Sequence, residues 1–432
     1  MRAVVVAVLL CAACTNAPVA PAATTAPPPL AIVTAPPAAT APARVATPQP
    51  TPDIRIPTTP GPVPEAGVLV ARDAFGTLYR YDGGRGTIER ITELSAWSIL
   101  RQTATGVYEV GTHGGAVFVP WSGTTRLVSC PGWIVAISRA DACASRVSDP
   151  PAGMYVQYPG TGARRILPLD WGGGVAAWDP GSRRLAITRT VDERCMRCPD
   201  ALYVIDADGT PRLLFDTHVD ANHTDPRGAV ARMAWSPDGD LIATSFSTGC
   251  AGCDFKGGSG LLLIDPATSR FTDLGVTPGS PSDLAWSPTG ELAYVSGTFE
   301  KIADSVLRLR GSDGTVGALD TYAAHPTWSA DGGRLAWIRS DGTAAVLDRA
   351  SDARTVVRCR DGSVAGIRFG TDDSMLLLCR MPDRNVGRYD IRYLDATHDA
   401  VVMEQLGGTL AYFIGPDFLD LVAWSKGVAP IF

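Results

Sequence analysis

From Gly67 onward the apolar residues come in runs of four to six, each bounded by Gly, Asp, Pro or Ser. Gly67-Val-Leu-Val-Ala, Leu202-Tyr-Val-Ile-Asp206 and Leu261-Leu-Leu-Ile-Asp265 are examples. Runs of this length between turn formers predict short β-strands. No amphipathic stretch of helical period and length interrupts them, so the expected class is all-β.

The strands recur in a fixed arrangement. Ala234-Trp-Ser-Pro-Asp-Gly-Asp-Leu-Ile-Ala-Thr244 returns as Ala285-Trp-Ser-Pro-Thr-Gly-Glu-Leu-Ala-Tyr-Val295 and as Thr327-Trp-Ser-Ala-Asp-Gly-Gly-Arg-Leu-Ala-Trp337. A fourth copy is Ala177-Trp-Asp-Pro-Gly-Ser-Arg-Arg-Leu-Ala-Ile187, and weaker copies centre on Trp97, Ile137, Phe369 and Phe413. Successive anchors lie 40, 41, 57, 51, 42, 41 and 44 residues apart. A period of this size with four strands per unit indicates the blades of a β-propeller. In each unit an aromatic anchor ends the first strand, A. A turn follows in which Pro presets φ and Gly accepts a positive φ, and strands B, C and D come next. A single blade cannot bury both faces, so Trp97, Trp178, Trp235, Trp286 and Trp328 are expected between blades as core. Residues from Gly67 to Thr92 supply strands like B, C and D, and those from Leu410 to Trp424 supply strands like A and B. Joined, they complete one blade from both ends of the chain and remove an open sheet edge. Seven internal units and this shared one give eight four-stranded blades, with seven blades as the alternative.

The Trp-Ser-Pro-Asp-Gly turn resembles that of the TolB-like propeller family, over about residues 67 to 427. The resemblance implies a propeller and a tendency to bind proteins or peptides. It departs from the family in having no α/β domain before the propeller.

The first residues change the picture of where the protein works. Arg2 precedes an apolar run, Ala3 to Leu10, that is too short to span a bilayer and reads as a signal-peptide core. Cys11-Ala12-Ala13-Cys14 after it is similar to the lipobox of bacterial lipoproteins, although Cys11 stands where Leu is usual. Residues 1–14 are therefore expected to be a lipoprotein signal, with Cys14 lipidated and the chain anchored to the extracytoplasmic side of the cell membrane. An ordinary signal peptide cut nearby is the alternative. Residues 15–64 hold 15 of the 34 prolines and only three charges, Arg44, Asp53 and Arg55. Such a segment has nothing to bury and should be a disordered, extended spacer. In polyproline II it reaches roughly 150 Å at most. Residues 65–432 are left for the propeller.

A formal charge of -6 with no basic run argues against a nucleic-acid surface. Ten cysteines become eight once Cys11 and Cys14 are set aside, an even number that favours disulfides in an exported protein. Cys195-Met-Arg-Cys198 and Cys250-Ala-Gly-Cys253 each follow strand B, in matching B–C loops of adjacent blades. They are disulfides, within each loop or between blades, or a zinc site if the pairs face each other, or free thiols. The nearby segment Asp216-Thr-His-Val-Asp-Ala-Asn-His-Thr-Asp225 brings His218, Asp220, His223 and Asp225 to the same face, as binding candidates or as an ordinary polar loop. Cys359 and Cys379 are expected to pair. A bond between Cys130 and Cys143 is doubtful, because Cys143 starts its strand at the opposite face.

No Gly-x-Ser-x-Gly elbow with a placed acid and His is present, and no Walker motif. A binding or scaffold protein for an envelope protein or peptide, monomeric, non-enzymatic and without a cofactor, is the leading expectation. The alternatives are an enzyme or metal-dependent site on the propeller face, and a sensor subunit of an envelope complex.

Overall fold

A computed structural model describes residues 57–432 except 74–76, 94–98, 104, 111–115, 129, 139, 148–150, 169–174, 191–199, 207–208, 217–228, 248–258, 278–283, 297–304, 383–387, 408–421 and 428–432. The chain divides into two units, Met1–Asp53 and Ile54–Phe432, and every described residue belongs to the second.

That unit is an eight-bladed β-propeller. Its strands, β1 to β32 in chain order, form eight antiparallel sheets of four. Blades 1 to 7 start with the innermost strands β4 (Ile99–Gln102), β8 (Trp133–Ile137), β12 (Ala176–Trp178), β16 (Ala229–Trp235), β20 (Leu284–Trp286), β24 (Ala323–Trp328) and β28 (Ser363–Phe369). Blade 8 takes its inner strand, β32 (Val422–Trp424), from the end of the chain. Its other strands, β1 (Val68–Arg72), β2 (Thr77–Asp82) and β3 (Thr87–Glu93), come from the start. Leu69 pairs with Trp424 and Ala71 with Val422, which closes the ring. Burial follows the blades: eight apolar clusters each fill one space between neighbouring sheets. The core is a ring of inter-sheet layers, because each sheet is apolar on both faces.

The turn after each inner strand is built by its own side chains. Ser236, Ser287 and Ser329 accept a hydrogen bond on Oγ from the N–H of Leu241 (2.9 Å), Glu291 (2.9 Å) and Arg334 (2.8 Å). In blade 3 the carboxylate of Asp179 takes this part, accepting from the N–H of Arg183 at 2.7 Å and of Arg184 at 3.0 Å. Gly239, Gly290 and Gly332 sit at φ of 79°, 85° and 73°, a region that favours glycine.

Three expectations need correction. In blade 1 the anchor position is held by Gln102, not Trp97, which lies outside the described residues. In blade 8 it is held by Trp424, not Phe413, which is also outside them. Among the described residues the C-terminal segment gives blade 8 its A strand, and β1 supplies B. In both blades a tryptophan or phenylalanine short of the true anchor drew the alignment off register.

Residues 57–64, assigned by composition to the spacer, are docked on the ring. The backbones of Thr58 and Glu404 exchange hydrogen bonds (3.2 and 2.7 Å), and the Val63 N–H donates to Gly83 O (3.0 Å). The Trp424 indole donates to Ala66 O at 2.6 Å.

Candidate functional site

Most of the residues singled out in the sequence lie outside the described residues: Cys14, Cys195, Cys198, Cys250, Cys253, His218, Asp220, His223 and Asp225. Their attachment points are described. Thr190 of β13 (Leu185–Thr190) pairs with Asp200 of β14 (Asp200–Ile205), so the loop carrying Cys195 and Cys198 leaves the ring at the end opposite the Asp179 turn. Among the described residues no group of three or more His, Cys, Asp or Glu could hold a metal.

The remaining four cysteines form two disulfides, Cys359–Cys379 and Cys130–Cys143. The second corrects the doubt about that pair. The buried Cys143 side chain faces the preceding sheet, in the cluster of Tyr108, Phe118 and Ile134, and Cys130 packs against the same cluster. The bond runs through the layer between sheets, so the strand end at which Cys143 sits does not decide it.

The anchors show where the ring is sealed and where it is open. The indole N–H groups of Trp235, Trp286 and Trp328 donate to Ala177 O, Ala234 O and Ala285 O of the preceding blade, at 3.0, 3.2 and 3.1 Å. Blades 2 and 7 have Ile137 and Phe369 at the anchor, which cannot donate, and among the described residues these are the blades that carry disulfides. In blade 1 Gln102 accepts from Trp424 N (3.0 Å) and from the buried Arg368, and donates to Gly427 O (2.9 Å). Trp178 of blade 3 has none of these links. Its ring is 95% buried, and its Nε1 makes no hydrogen bond.

Cavities lie on both sides of that ring. One, of about 50 Å³, is toward the channel and is lined by Gln102, Ala136, Ser138 and Asp179. The other, of about 250 Å³, opens outward between blades 2 and 3, at the turn face. Its walls are Val156, Ile166, Leu185 and Ile205 with the Trp178 ring. Its mouth carries Tyr158, Thr161, Gly162, Arg164, Arg183 and Asp206. Tyr158 meets Trp178 edge-on, with ring centroids 5.9 Å apart. Burial raises the Tyr158 hydroxyl above the ordinary tyrosine pKa; Asp179 adds to this and Arg164 opposes it.

The equivalent space at the next interface is filled. Arg184, the last residue before β13, lies 4.8 Å over the Trp235 ring and donates to Gly239 O at 2.7 Å. Arg334 covers Phe369 in the same way at 4.9 Å. At the interface between blades 2 and 3 the matching residue is Ala142, whose O accepts from Ser138 N as Arg184 O does from Asp179 N. An alanine cannot reach the next ring, so the Trp178 face is left to Tyr158 and the cleft.

No protein-family model matches the chain, and no curated protein does. Solved structures do. Apo AztD from Citrobacter koseri is 12% identical with a TM-score of 0.49, over 84% of this chain and 99% of that one. An oligogalacturonate lyase in complex with manganese is 14% identical with a TM-score of 0.41, over 66% and 86%. A puromycin hydrolase is 15% identical with a TM-score of 0.39, over 78% of this chain and 58% of that one. These are β-propeller proteins. At such identities the likeness speaks to the fold alone and carries no functional argument.

Proposed function

We propose that the chain is an extracytoplasmic binding module, tethered to the cell membrane through Cys14, whose propeller recognises an envelope protein or peptide without catalysing a reaction. The observation that supports binding is the preformed cleft on the Trp178 ring. It is concave, mainly apolar and rimmed by a few polar groups, the usual character of a recognition pocket, and rigid sheets hold it open. Export is supported by the signal-like N-terminus and by two disulfides of a kind that persist in oxidising compartments. The spacer then gives the propeller reach from the membrane.

The full chain, used as bait on solubilised cell envelope, should retain a defined protein that in turn retains the chain when the roles are reversed. Failure of that reciprocal capture, with turnover of a small substrate by the same preparation, would overturn the reading in favour of an enzyme. Metabolic labelling with a fatty-acid analogue should mark the parent chain and not Cys14→Ser.

A further inference from the structure

We infer that the cleft between blades 2 and 3 receives one apolar side chain from an acidic segment of a partner polypeptide; this deepens the binding reading above and rests on it. Two observations point to this occupant. The interior is apolar, with Val156, Ile166, Leu185 and Ile205 around an indole, so it suits a hydrocarbon or aromatic group. A sugar ring would need several polar partners inside the cleft, and these walls supply hydrocarbon. Second, the mouth carries two exposed residues, Arg164 and Arg183, and one carboxylate, Asp206. Arg183 has no side-chain hydrogen bond or ion pair among the described residues. Arginine beside an aromatic pocket is the common make-up of a polypeptide hot spot, and the charge selects acidic flanks.

The other blades say why the site is here. Wherever the residue before strand B is arginine, it lies on the next anchor and fills this space. Ala142 leaves it open between rigid walls, so occupation requires no rearrangement of the ring.

The test uses the full chain and fluorescein-labelled, end-capped hexapeptides, read by fluorescence anisotropy. One set has a central leucine or phenylalanine flanked by aspartate and glutamate. A second replaces the flanks with lysine, and a third replaces the central residue with serine. The first set should bind about ten-fold or more tightly than the others. Gly162→Trp is the decisive variant. Gly162 lines the mouth, its φ is not in the left-handed region, and a Cβ there meets nothing within 4 Å. The new indole should fold in place and cut affinity at least about ten-fold. Arg183→Glu, at an exposed turn position, should erase or reverse the preference for acidic flanks. Both variants should keep the parent's circular dichroism and Tm. Absence of binding by the first set, or binding unchanged in both variants, overturns the assignment. If Gly162→Trp still captures the same envelope protein as the parent, the cleft assignment falls while the binding module stands. If the parent captures none, the binding module itself falls.

Discussion

Two neighbouring interfaces, between blades 3 and 4 and between blades 2 and 3, carry the same tryptophan at the same strand position with opposite results. Trp235 is fully buried, donates to Ala177 O and lies beneath Arg184, which also reaches the next turn. Trp178 is 95% buried, donates to nothing and has a cavity on either side. The difference traces to the residue before strand B, arginine at 184 and alanine at 142. An anchor specifies that two sheets pack; its neighbour specifies whether the packing is sealed. Among the described residues, other interfaces are fixed by indole hydrogen bonds, by disulfides or by the buried Gln102–Arg368 pair.

The largest effects should come from the anchors themselves. Trp235→Ala should cost about 3–5 kcal/mol, the usual range for a large aromatic removed from a packed core. Trp178→Ala should cost less by roughly 1–3 kcal/mol, since it also deletes a buried donor that has no partner. Urea unfolding of the two variants measures the difference; equal losses would show that Trp178 is as well packed as Trp235.

Next come the disulfides. If they stand in for the missing indole bond in blades 2 and 7, replacing either pair by alanine should cost about 2–4 kcal/mol. Introducing Phe369→Trp into the Cys359/Cys379-free variant should then recover part of the loss. No recovery, with the variant folded, would break the idea that these are alternative locks on one kind of interface.

Adjacent arginines sharpen the comparison at smaller scale. Arg184→Ala removes the contact over Trp235 and the bond to Gly239 O, and should cost roughly 1–2 kcal/mol. Arg183→Ala, at the mouth of the open cleft, should change stability by no more than about 0.5 kcal/mol. Thermal unfolding of both variants distinguishes a sealing arginine from one free to meet a ligand.

How much of this was legible in the chain differs between blades. Where the turn is written as Trp-Ser-Pro-Asp-Gly at Trp235 and as Trp-Ser-Pro-Thr-Gly at Trp286, pattern and structure coincide, because turn chemistry and burial demand the same residues. Ile137 and Phe369 were found by spacing alone. Gln102 was missed because a buried amide that works through hydrogen bonds leaves no apolar signal, while Trp97, five residues earlier, does. The open cleft was readable in principle. Aligning the residue before strand B across the internal repeats gives Gly106, Ala142, Arg184, Leu241, Glu291, Arg334 and Ser374, and the one that precedes the Trp178 blade is the alanine. What alignment could not supply is that Arg184 and Arg334 reach the following blade, which only the stacking of sheets reveals.

The smallest predicted effect separates the two interfaces by pH. Tyr158, the aromatic that meets Trp178 in the arginine's stead, has its hydroxyl held above the ordinary tyrosine pKa of 10.0, first by burial. A raised acid of this kind contributes stability that is fully present below the unfolded tyrosine's pKa, and loses it as pH climbs through the folded value. Tyr79, Tyr81, Tyr294 and Tyr389 are raised by burial too, so the whole protein should weaken in alkali. The informative quantity is therefore a difference. Tyr158→Phe should show a slightly shallower fall of Tm above pH 10 than the parent, and nearly the parent's Tm at neutral pH. Parallel curves would mean that Tyr158 ionises as easily as in the unfolded chain, and that the edge-on contact with Trp178 leaves the mouth of the cleft fully wet.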